Sequence, residues 1–254
     1  MTTSRNDLIL SVSSVNKSFG EKQVLKDIDI SLNRGELVSL LGVSGVGKTT
    51  LFNIIAGLHR PDSGEVTLDG RSIIGEPGHV SYMLQKDLLL PYYTVLDNVI
   101  LPLRIKSGMK KADARRKAAP LFDHFGLGGY ENSYPADLSG GMRQRAALLR
   151  TYLASDGVAL LDEPFSALDT LTKQSMHVWY LSIMEEIKLS TLFITHDIDE
   201  AILLSDRIYI LSGRPGTITD EIVIEKPKPR PSDFNLTGEF IACKRRVISA
   251  LGMG

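Results

Sequence analysis

The sequence predicts an α/β fold in which a mainly helical segment interrupts a sheet-containing core. Short runs rich in Val, Ile and Leu, such as "LILSVSSV", "VLKDIDISL" and "ELVSLL", predict strands over residues 8–41. Two later apolar runs, "GVALLDEP" and "STLFITHD", predict strands that are buried on both faces, as in a parallel sheet. Between these groups, "MKKADARRKAAPLFDHFGL" and "GGMRQRAALLRTYLA" have helical patterns.

The remaining elements follow in chain order. A helix is predicted over about residues 48–58, and "PDSGEVTLDGRSI" then predicts a turn, a short strand and another turn. "DRIYILSG" and "TITDEIVI" predict the strands that complete the core, and a Pro-rich connector leads to a last helix, "TGEFIACKRRVISAL". We therefore predict a core of residues 1–86 and 155–225, a helical segment of 87–154, and a connector with a C-terminal helix in 226–254.

Composition excludes several classes of protein. The chain has 254 residues with a formal net charge of -1, whereas a nucleic-acid-binding domain is usually markedly basic. The single cysteine, Cys243, excludes an internal disulfide. No stretch of about 18 apolar residues occurs, and the first residues lack the apolar segment of a signal peptide. We expect a chain that does not span a membrane and that works at one only by docking on other subunits.

A phosphate-binding loop is the most specific motif. "GVSGVGKTT" matches G-x-x-x-x-G-K-[ST] between a predicted buried strand and a predicted helix, the context that confirms the motif. Lys48 is expected to reach the β- and γ-phosphates, and the Thr49 hydroxyl to coordinate magnesium. A glycine-rich turn with an incidental lysine is the alternative, and the agreement of motif and context disfavours it. The predicted nucleotide-binding residues are Gly42, Val43, Ser44, Gly45, Val46, Gly47, Lys48, Thr49 and Thr50.

Two further apolar strands end in polar residues. Asp162 ends "VALLD" and is expected near the magnesium ion, while Glu163 is expected to act as general base on the attacking water. Strand alternation predicts that these two side chains point to opposite sides. His196 ends "FITH", so the three strand ends predict a shared rim. The alternatives are a solvated acidic strand end and a structural histidine.

The stretch "DLSGGMRQRAALLR" predicts a helix whose first residues are two glycines. Ser139 is the predicted N-cap, and Gly140 and Gly141 leave backbone N–H groups uncovered at the positive end of the helix. This predicts a second anion site, and with one phosphate loop per chain it suggests that two copies pair head to tail. Glycines that merely permit close packing are the alternative.

Six elements occur in one order: the phosphate loop, Gln85, "LSGGM", "LLDEP", "SALD" and His196. In this order they resemble the ATP-binding subunits of ABC transporters over essentially the whole chain. The resemblance implies a P-loop NTPase core of the RecA-like type, with an N-terminal antiparallel β subdomain and an inserted helical subdomain. It implies bound ATP and Mg²⁺ and a homodimer with ATP.

The resemblance also implies roles for single residues. Phe19 would stack on adenine, although a core phenylalanine in a strand is the alternative. Gln85 would sense magnesium and the transport partner, with Thr49 and Asp162 as the other magnesium residues. The remaining roles are phosphate contact across the dimer by Ser139, Gly140 and Gly141, dimer contact by Asp169, catalytic base by Glu163 and γ-phosphate contact by His196.

Resemblance narrows the transport class as well. "LSGGMRQR", "DEPFSALD" and "LSGRPGTI" are most similar to the group that imports nitrate, sulfonates, taurine and thiamine precursors. Met142 replaces the usual glutamine and lacks its amide hydrogen bonds, but the serine and glycines that contact phosphate are present. The resemblance implies separate transmembrane permease subunits, a periplasmic or extracellular solute-binding protein, no nucleic acid, and a place on the cytoplasmic face of the inner membrane.

Three functions therefore compete at this point. An importer subunit would dock its permease beside Gln85, with "LLPYYTVLDNV" lining the groove, whereas an ordinary connecting loop is the alternative for that stretch. A non-transport ATPase of DNA repair or translation would usually add coiled coils or a second cassette, and neither pattern occurs. An exporter half-subunit is the third possibility.

Overall fold

The computed structural model describes residues 7–231 and 233–252. An antiparallel sheet in the order β2-β1-β4-β5 is built from the N-terminal strands β1 (Leu8–Phe19), β2 (Lys22–Asn33), β4 (Ser63–Leu68) and β5 (Arg71–Ser72). The strands of the second sheet are β3 (Leu37–Leu41), β6 (Ser81–Met83), β7 (Val158–Asp162), β8 (Ser190–Thr195), β9 (Arg207–Ser212) and β10 (Thr217–Val223).

The second sheet has the order β10-β9-β3-β8-β7-β6 and is parallel except for β10, which pairs antiparallel with β9. Every residue of β3, β7 and β8 is buried, which agrees with the continuous apolar runs in their sequences. Parallel strands align their carboxyl ends, so the residues that follow β3, β7 and β8 lie along one edge.

Alternate residues of the parallel strands pack on opposite faces. Val158 and Leu160 join one hydrophobic cluster with the antiparallel sheet, while Ala159 and Leu161 join a second cluster with the helical segment. The two clusters cover both faces, and this is why β7 shows no polar alternation.

Eight α-helices complete the described part of the chain. Their bounds are α1 (Lys48–Ile55), α2 (Val95–Val99), α3 (Leu101–Lys106), α4 (Lys111–His124), α5 (Gly140–Ala154), α6 (Thr170–Ile187), α7 (Ile198–Leu204) and α8 (Gly238–Ala250). Helices α2 to α5 lie within the predicted helical segment, and the fold class is the predicted one. Helix α1 ends three residues before the predicted Leu58, because Gly57 adopts a φ of 74° that a right-handed helix does not allow. No described helix is long and apolar enough to cross a membrane.

Two of these helices, α6 and α7, are absent from the sequence prediction. Helix α6 buries Met176, Tyr180, Ile183 and Met184, which recur at helical spacing. It packs in the same cluster as the helical segment. Helix α7 begins two residues after His196, so its position bears on the site below.

Candidate active site

The phosphate loop connects the carboxyl end of β3 to the start of α1, as its motif predicts. Gly45 and Gly47 have φ values of 78° and 113°, a region that favours glycine. Gly42 is enclosed, since a Cβ added there would lie 2.4 Å from the carbonyl oxygen of Leu211. The glycines therefore give the loop its path, and the path delivers Lys48 as the first residue of α1.

Lys48 lies inside the loop with its ammonium group held by backbone carbonyls. Its Nζ donates to the carbonyl oxygens of Gly42 at 2.6 Å and Val43 at 3.1 Å. Burial lowers the pKa of Lys48, while the charges of Glu163 and Asp162 act to raise it. The Lys48 ammonium group lies between the glycine loop and two carboxylates. This arrangement suits a phosphate chain with a bound metal ion, because the ammonium group can bind phosphate and the carboxylates can bind the metal.

Asp162 ends β7 as a buried carboxylate. Its Oδ2 accepts a hydrogen bond from the Tyr82 hydroxyl at 3.4 Å, and the Thr49 hydroxyl also hydrogen-bonds to it. Burial raises the pKa of Asp162, and the negative charge of Glu163 raises that pKa further. Hydroxyl and carboxylate oxygens are the ligands that Mg²⁺ prefers, and a divalent cation would offset two neighbouring negative charges. The residues present therefore fit magnesium.

Glu163 is the point where three segments meet. Its Oε2 accepts a hydrogen bond from Gln85 Nε2 at 3.2 Å, and the same Oε2 lies 3.2 Å from His196 Nδ1. Gln85 Nε2 also lies 3.4 Å from the Ser166 hydroxyl oxygen. The structure thus brings together Glu163 and His196, which the sequence placed on one rim, and adds Gln85, whose role came only from the resemblance.

The expectation that Asp162 and Glu163 point to opposite sides is wrong. Strand β7 ends at Asp162, and Glu163 leaves the strand with a φ of 47°, in the left-handed region. Strand alternation does not apply to a residue in that conformation, so both carboxylates face the same cavity. A non-glycine residue held with positive φ is costly and is often found at functional sites.

These residues line one cavity of about 540 Å³ at the carboxyl edge of the parallel sheet. This volume is within the usual range for a small-molecule site. The lining residues are Val24, Ser44, Gly45, Gly47, Lys48, Thr49, Thr50, Gln85, Asp162, Glu163 and His196.

Comparison with known proteins decides the family. The family described as ABC transporter matches residues 25–166, more than half of the chain. The chain belongs to the ABC transporter family. Curated relatives include the formylaminopyrimidine import ATP-binding protein ThiZ of Halalkalibacterium halodurans, 48% identical over 76% of this chain and 74% of ThiZ. The nitrate import ATP-binding protein NrtD of Synechocystis is 38% identical over 95% of this chain and 94% of NrtD.

Solved ABC cassettes have the same fold. The dimeric bacterial ABC transporter cassette MJ0796 superposes with a TM-score of 0.72 and is 29% identical, over 86% of this chain and all of that one. The post-hydrolysis dimer of MJ0796 bound to ADP and Pi gives a TM-score of 0.71 at the same identity. The P-loop NTPase fold predicted from the sequence is confirmed.

Other predicted residues of this ABC cassette lie outside the cavity lining. Ser139 caps α5 as predicted, since its hydroxyl accepts a hydrogen bond from Met142 N at 3.3 Å. Gly141 is buried, and a Cβ added there would lie 3.2 Å from Thr172 Cγ2 on α6, so this glycine also permits close packing of the two helices. Asp169 is exposed and caps α6 through a 3.1 Å hydrogen bond from Thr172 N.

Phe19 ends β1 and has an exposed fraction of 49%, so it is not a core phenylalanine. Its ring stands edge-on to His59 at 6.0 Å, and Lys17 Nζ lies 5.4 Å from the ring centroid. Within the described residues it does not line the cavity of the ABC cassette. Gly42, Val43 and Val46 are likewise not lining residues. Val46 is a core residue, whereas Gly42 and Val43 contribute carbonyl groups to Lys48.

Three residues of this site escaped the sequence analysis. Tyr82 bonds to Asp162, Ser166 lies beside Gln85, and Val24 lines the cavity. Ser166 begins the "SALD" motif and was open to detection through it, whereas Tyr82 and Val24 belong to strands with no distinguishing pattern.

Proposed function

We propose that this chain is the ATP-hydrolysing, energy-coupling subunit of an importer for a small solute. The observation that carries the proposal is the meeting of Gln85 and His196 on the carboxylate of Glu163, in the cavity that also contains Lys48. A general base, a phosphate-binding cation and a γ-phosphate contact are the groups that hydrolysis of ATP requires.

In this proposal the phosphate loop binds the triphosphate and the two acids have separate roles. Lys48 contacts the β- and γ-phosphates, which replace the loop carbonyls as its partners. Thr49, Asp162 and Gln85 supply oxygen ligands for Mg²⁺, which neutralises phosphate charge when bound. Glu163 accepts the proton of the attacking water. His196, held 3.2 Å from Glu163, donates toward the γ-phosphate.

We infer a homodimer in which each active site is completed by the partner subunit. Ser139, Gly140 and Gly141 lie at the start of α5 and do not line this subunit's own cavity. A capped helix start with glycines is suited to a phosphate group presented from outside the chain. The dimeric state of MJ0796 supports this arrangement. Asp169 would contact the partner subunit, and Phe19 would stack on adenine.

An apolar surface beside Gln85 supports docking of a permease. We call it the docking surface, and it consists of exposed residues, with Tyr92 the most exposed at 91%; its members are Leu84, Leu88, Leu90, Tyr92 and Tyr93. Arg150 of α5 donates to the carbonyl oxygens of Leu88 at 2.8 Å and Asp87 at 2.5 Å. The docking surface is therefore adjacent to Gln85 in the chain and hydrogen-bonded to α5, the helix that Ser139 caps.

The proposed substrate class follows the named relatives. ThiZ and NrtD are named for import of a formylaminopyrimidine and of nitrate, and SsuB 1 of Xanthomonas axonopodis pv. citri, for import of aliphatic sulfonates, is 44% identical over 84% of this chain. We propose a solute of this group, delivered by a solute-binding protein to permease subunits, with this chain on the cytoplasmic face of the inner membrane. We retain the predicted division into a core, a helical segment of 87–154 and a C-terminal segment.

Uptake into proteoliposomes tests the proposal. The chain is reconstituted with candidate permease subunits and a candidate solute-binding protein of the same organism, and uptake of labelled nitrate, taurine and a formylaminopyrimidine is measured with and without internal ATP. We expect ATP-dependent uptake of one of these solutes and none with Lys48→Ala. ATP hydrolysis with no transport would favour a non-transport ATPase, and ATP-dependent efflux would favour an exporter.

A further inference from the structure

A polar cluster joins the two helices that the sequence analysis missed. Lys173 of α6 donates to Asp197 Oδ2 at 2.7 Å and lies 3.3 Å from Glu200 Oε1. His177, one turn further along α6, donates from Nε2 to the same Glu200 oxygen at 2.9 Å. The Glu200 side chain is 3% exposed and the Asp197 side chain 36%, so the cluster runs from a buried carboxylate to the surface.

The two ends of the cluster, Asp197 and Lys173, are each connected directly to a residue with a proposed role. Asp197 follows His196 directly and caps α7, because its Oδ1 accepts a hydrogen bond from Glu200 N at 3.1 Å. Lys173 donates its backbone N–H to the carbonyl oxygen of Asp169, the cap of α6, at 2.8 Å. The cluster therefore links the histidine segment to the segment proposed to contact the partner subunit.

The loop after Glu163 also touches the cluster. The ring of Phe165 stands edge-on to the His177 imidazole, with centroids 5.1 Å apart. Phe165 is 3% exposed, so the contact is part of the core. One imidazole thus contacts the loop of the general base and, through Glu200, the helix after His196.

We propose that Lys173, His177 and Glu200 are positioning residues for ATP hydrolysis, which hold His196 in register with Glu163 and Asp169. None of the three lines the nucleotide cavity, so they act through other residues. The proposal rests on the proposed function, since it assumes that His196 and Glu163 take part in hydrolysis.

The charges explain why Lys173 matters. Burial alone would raise the pKa of Asp197, but the hydrogen bond and charge of Lys173, together with the backbone N–H groups of Glu200 and Asp199, outweigh burial and lower it. Without the ammonium group, the buried carboxylate of Glu200 and the partly exposed carboxylate of Asp197 face each other, and their repulsion opens the first turn of α7. A displacement of about 1 Å at a catalytic group lowers turnover by up to about a hundredfold.

The test separates positioning from binding and from folding. Lys173→Met, Lys173→Arg and Gln174→Met are compared by the kcat and KM of ATP hydrolysis and by melting temperature. Gln174 is an exposed neighbour on α6 and serves as the matched control. We expect Lys173→Met to lower kcat about tenfold or more while KM stays within about twofold of the wild-type value. Lys173→Arg should retain most of the wild-type kcat, and Gln174→Met should change neither kcat nor KM.

A second pair of variants keeps the proposal testable if Lys173→Met does not fold. His177→Gln retains an N–H donor for Glu200 and is expected to exceed His177→Leu in kcat at similar KM. An unchanged kcat in Lys173→Met would overturn the proposal. It would also be overturned if Lys173→Arg lost as much kcat as Lys173→Met and His177→Gln lost as much as His177→Leu. His196→Ala distinguishes the two levels: normal turnover in it would refute the assumed site, whereas a loss there without a loss in Lys173→Met refutes the positioning cluster alone.

Discussion

Nδ1 of the His196 imidazole lies 3.2 Å from Oε2 of the Glu163 carboxylate. The two residues are 33 positions apart in the chain and reach each other because β7 and β8 are adjacent parallel strands. Glu163 N also donates to the carbonyl oxygen of Ile194 at 3.0 Å, which links the backbones of the two strand ends. The side chains and the backbones of the two strand ends are therefore connected.

Glu163→Gln is expected to bind ATP with unchanged affinity and to lose turnover by about 10²–10⁴-fold, the usual contribution of a general base. Because ATP is then retained, the variant should elute as a dimer in ATP during size-exclusion chromatography. Phosphate release and elution volume are the measurements, and Glu185→Gln, on the exposed side of α6, is the control. Wild-type hydrolysis by Glu163→Gln would remove Glu163 from the role of base.

Mixing two inactive variants tests whether the active site is shared between subunits. Lys48→Ala removes the phosphate-loop cation, and Ser139→Ala removes the group proposed to act in the partner. A mixed dimer would contain one site with both residues intact, so the mixture should hydrolyse ATP faster than either variant alone. Additivity of the two separate rates would indicate that Ser139 serves its own subunit, where its cap contributes about 1 kcal/mol to stability.

Asp97 is predicted to make the stability of the helical segment dependent on pH. Burial alone would raise the pKa of Asp97, but hydrogen bonds from Lys111 and Arg115 of α4 outweigh it and lower the pKa. A carboxyl group with a lowered pKa in the folded state stabilises the protein above its unfolded pKa, and this stabilisation is lost as pH falls through the folded value.

Asp97→Asn should therefore reduce the free energy of unfolding near neutral pH by about 1 kcal/mol or less, with the difference disappearing in acid. Urea unfolding at several pH values measures it. Asp113→Asn is the control, since Asp113 is 47% exposed against 19% for Asp97. A difference that persists unchanged at acidic pH would assign the effect to packing.

Asn98 is predicted to shape the docking surface. Its buried side chain accepts from Leu90 N at 2.7 Å and donates to the carbonyl oxygens of Leu90, Tyr93 and Thr94 at 3.0–3.2 Å. Asn98→Ala leaves these backbone N–H and carbonyl groups without their side-chain partner. We expect the free energy of unfolding to fall by about 1–3 kcal/mol and the segment that carries the docking surface to be cleaved faster by protease. Exposed Asn132→Ala is the control, and an unchanged cleavage rate would contradict the assignment.

The sequence alone was sufficient for the parts of the fold that depend on local pattern. The buried runs became β3, β7 and β8, because strands covered on both faces need continuous apolar sequence. The phosphate loop was equally local, since positive φ at Gly45 and Gly47 and the lysine at the helix start lie within nine residues. Resemblance then supplied the family, and comparison confirmed it.

Tertiary structure decided the contacts between distant segments, which hydrophobic periodicity does not predict. Glu163 and Asp162 share a cavity because the backbone turns to positive φ directly after β7, and the apolar pattern of the strand does not indicate that turn. Tyr82 joins Asp162 across neighbouring strands that are 80 positions apart in sequence, and Lys173 reaches Asp197 and Glu200 between helices. Hydrogen bonds and charge contacts of this kind depend on distances between segments. The sequence therefore determined the chemistry available to this ABC cassette, whereas chain packing determined which groups meet.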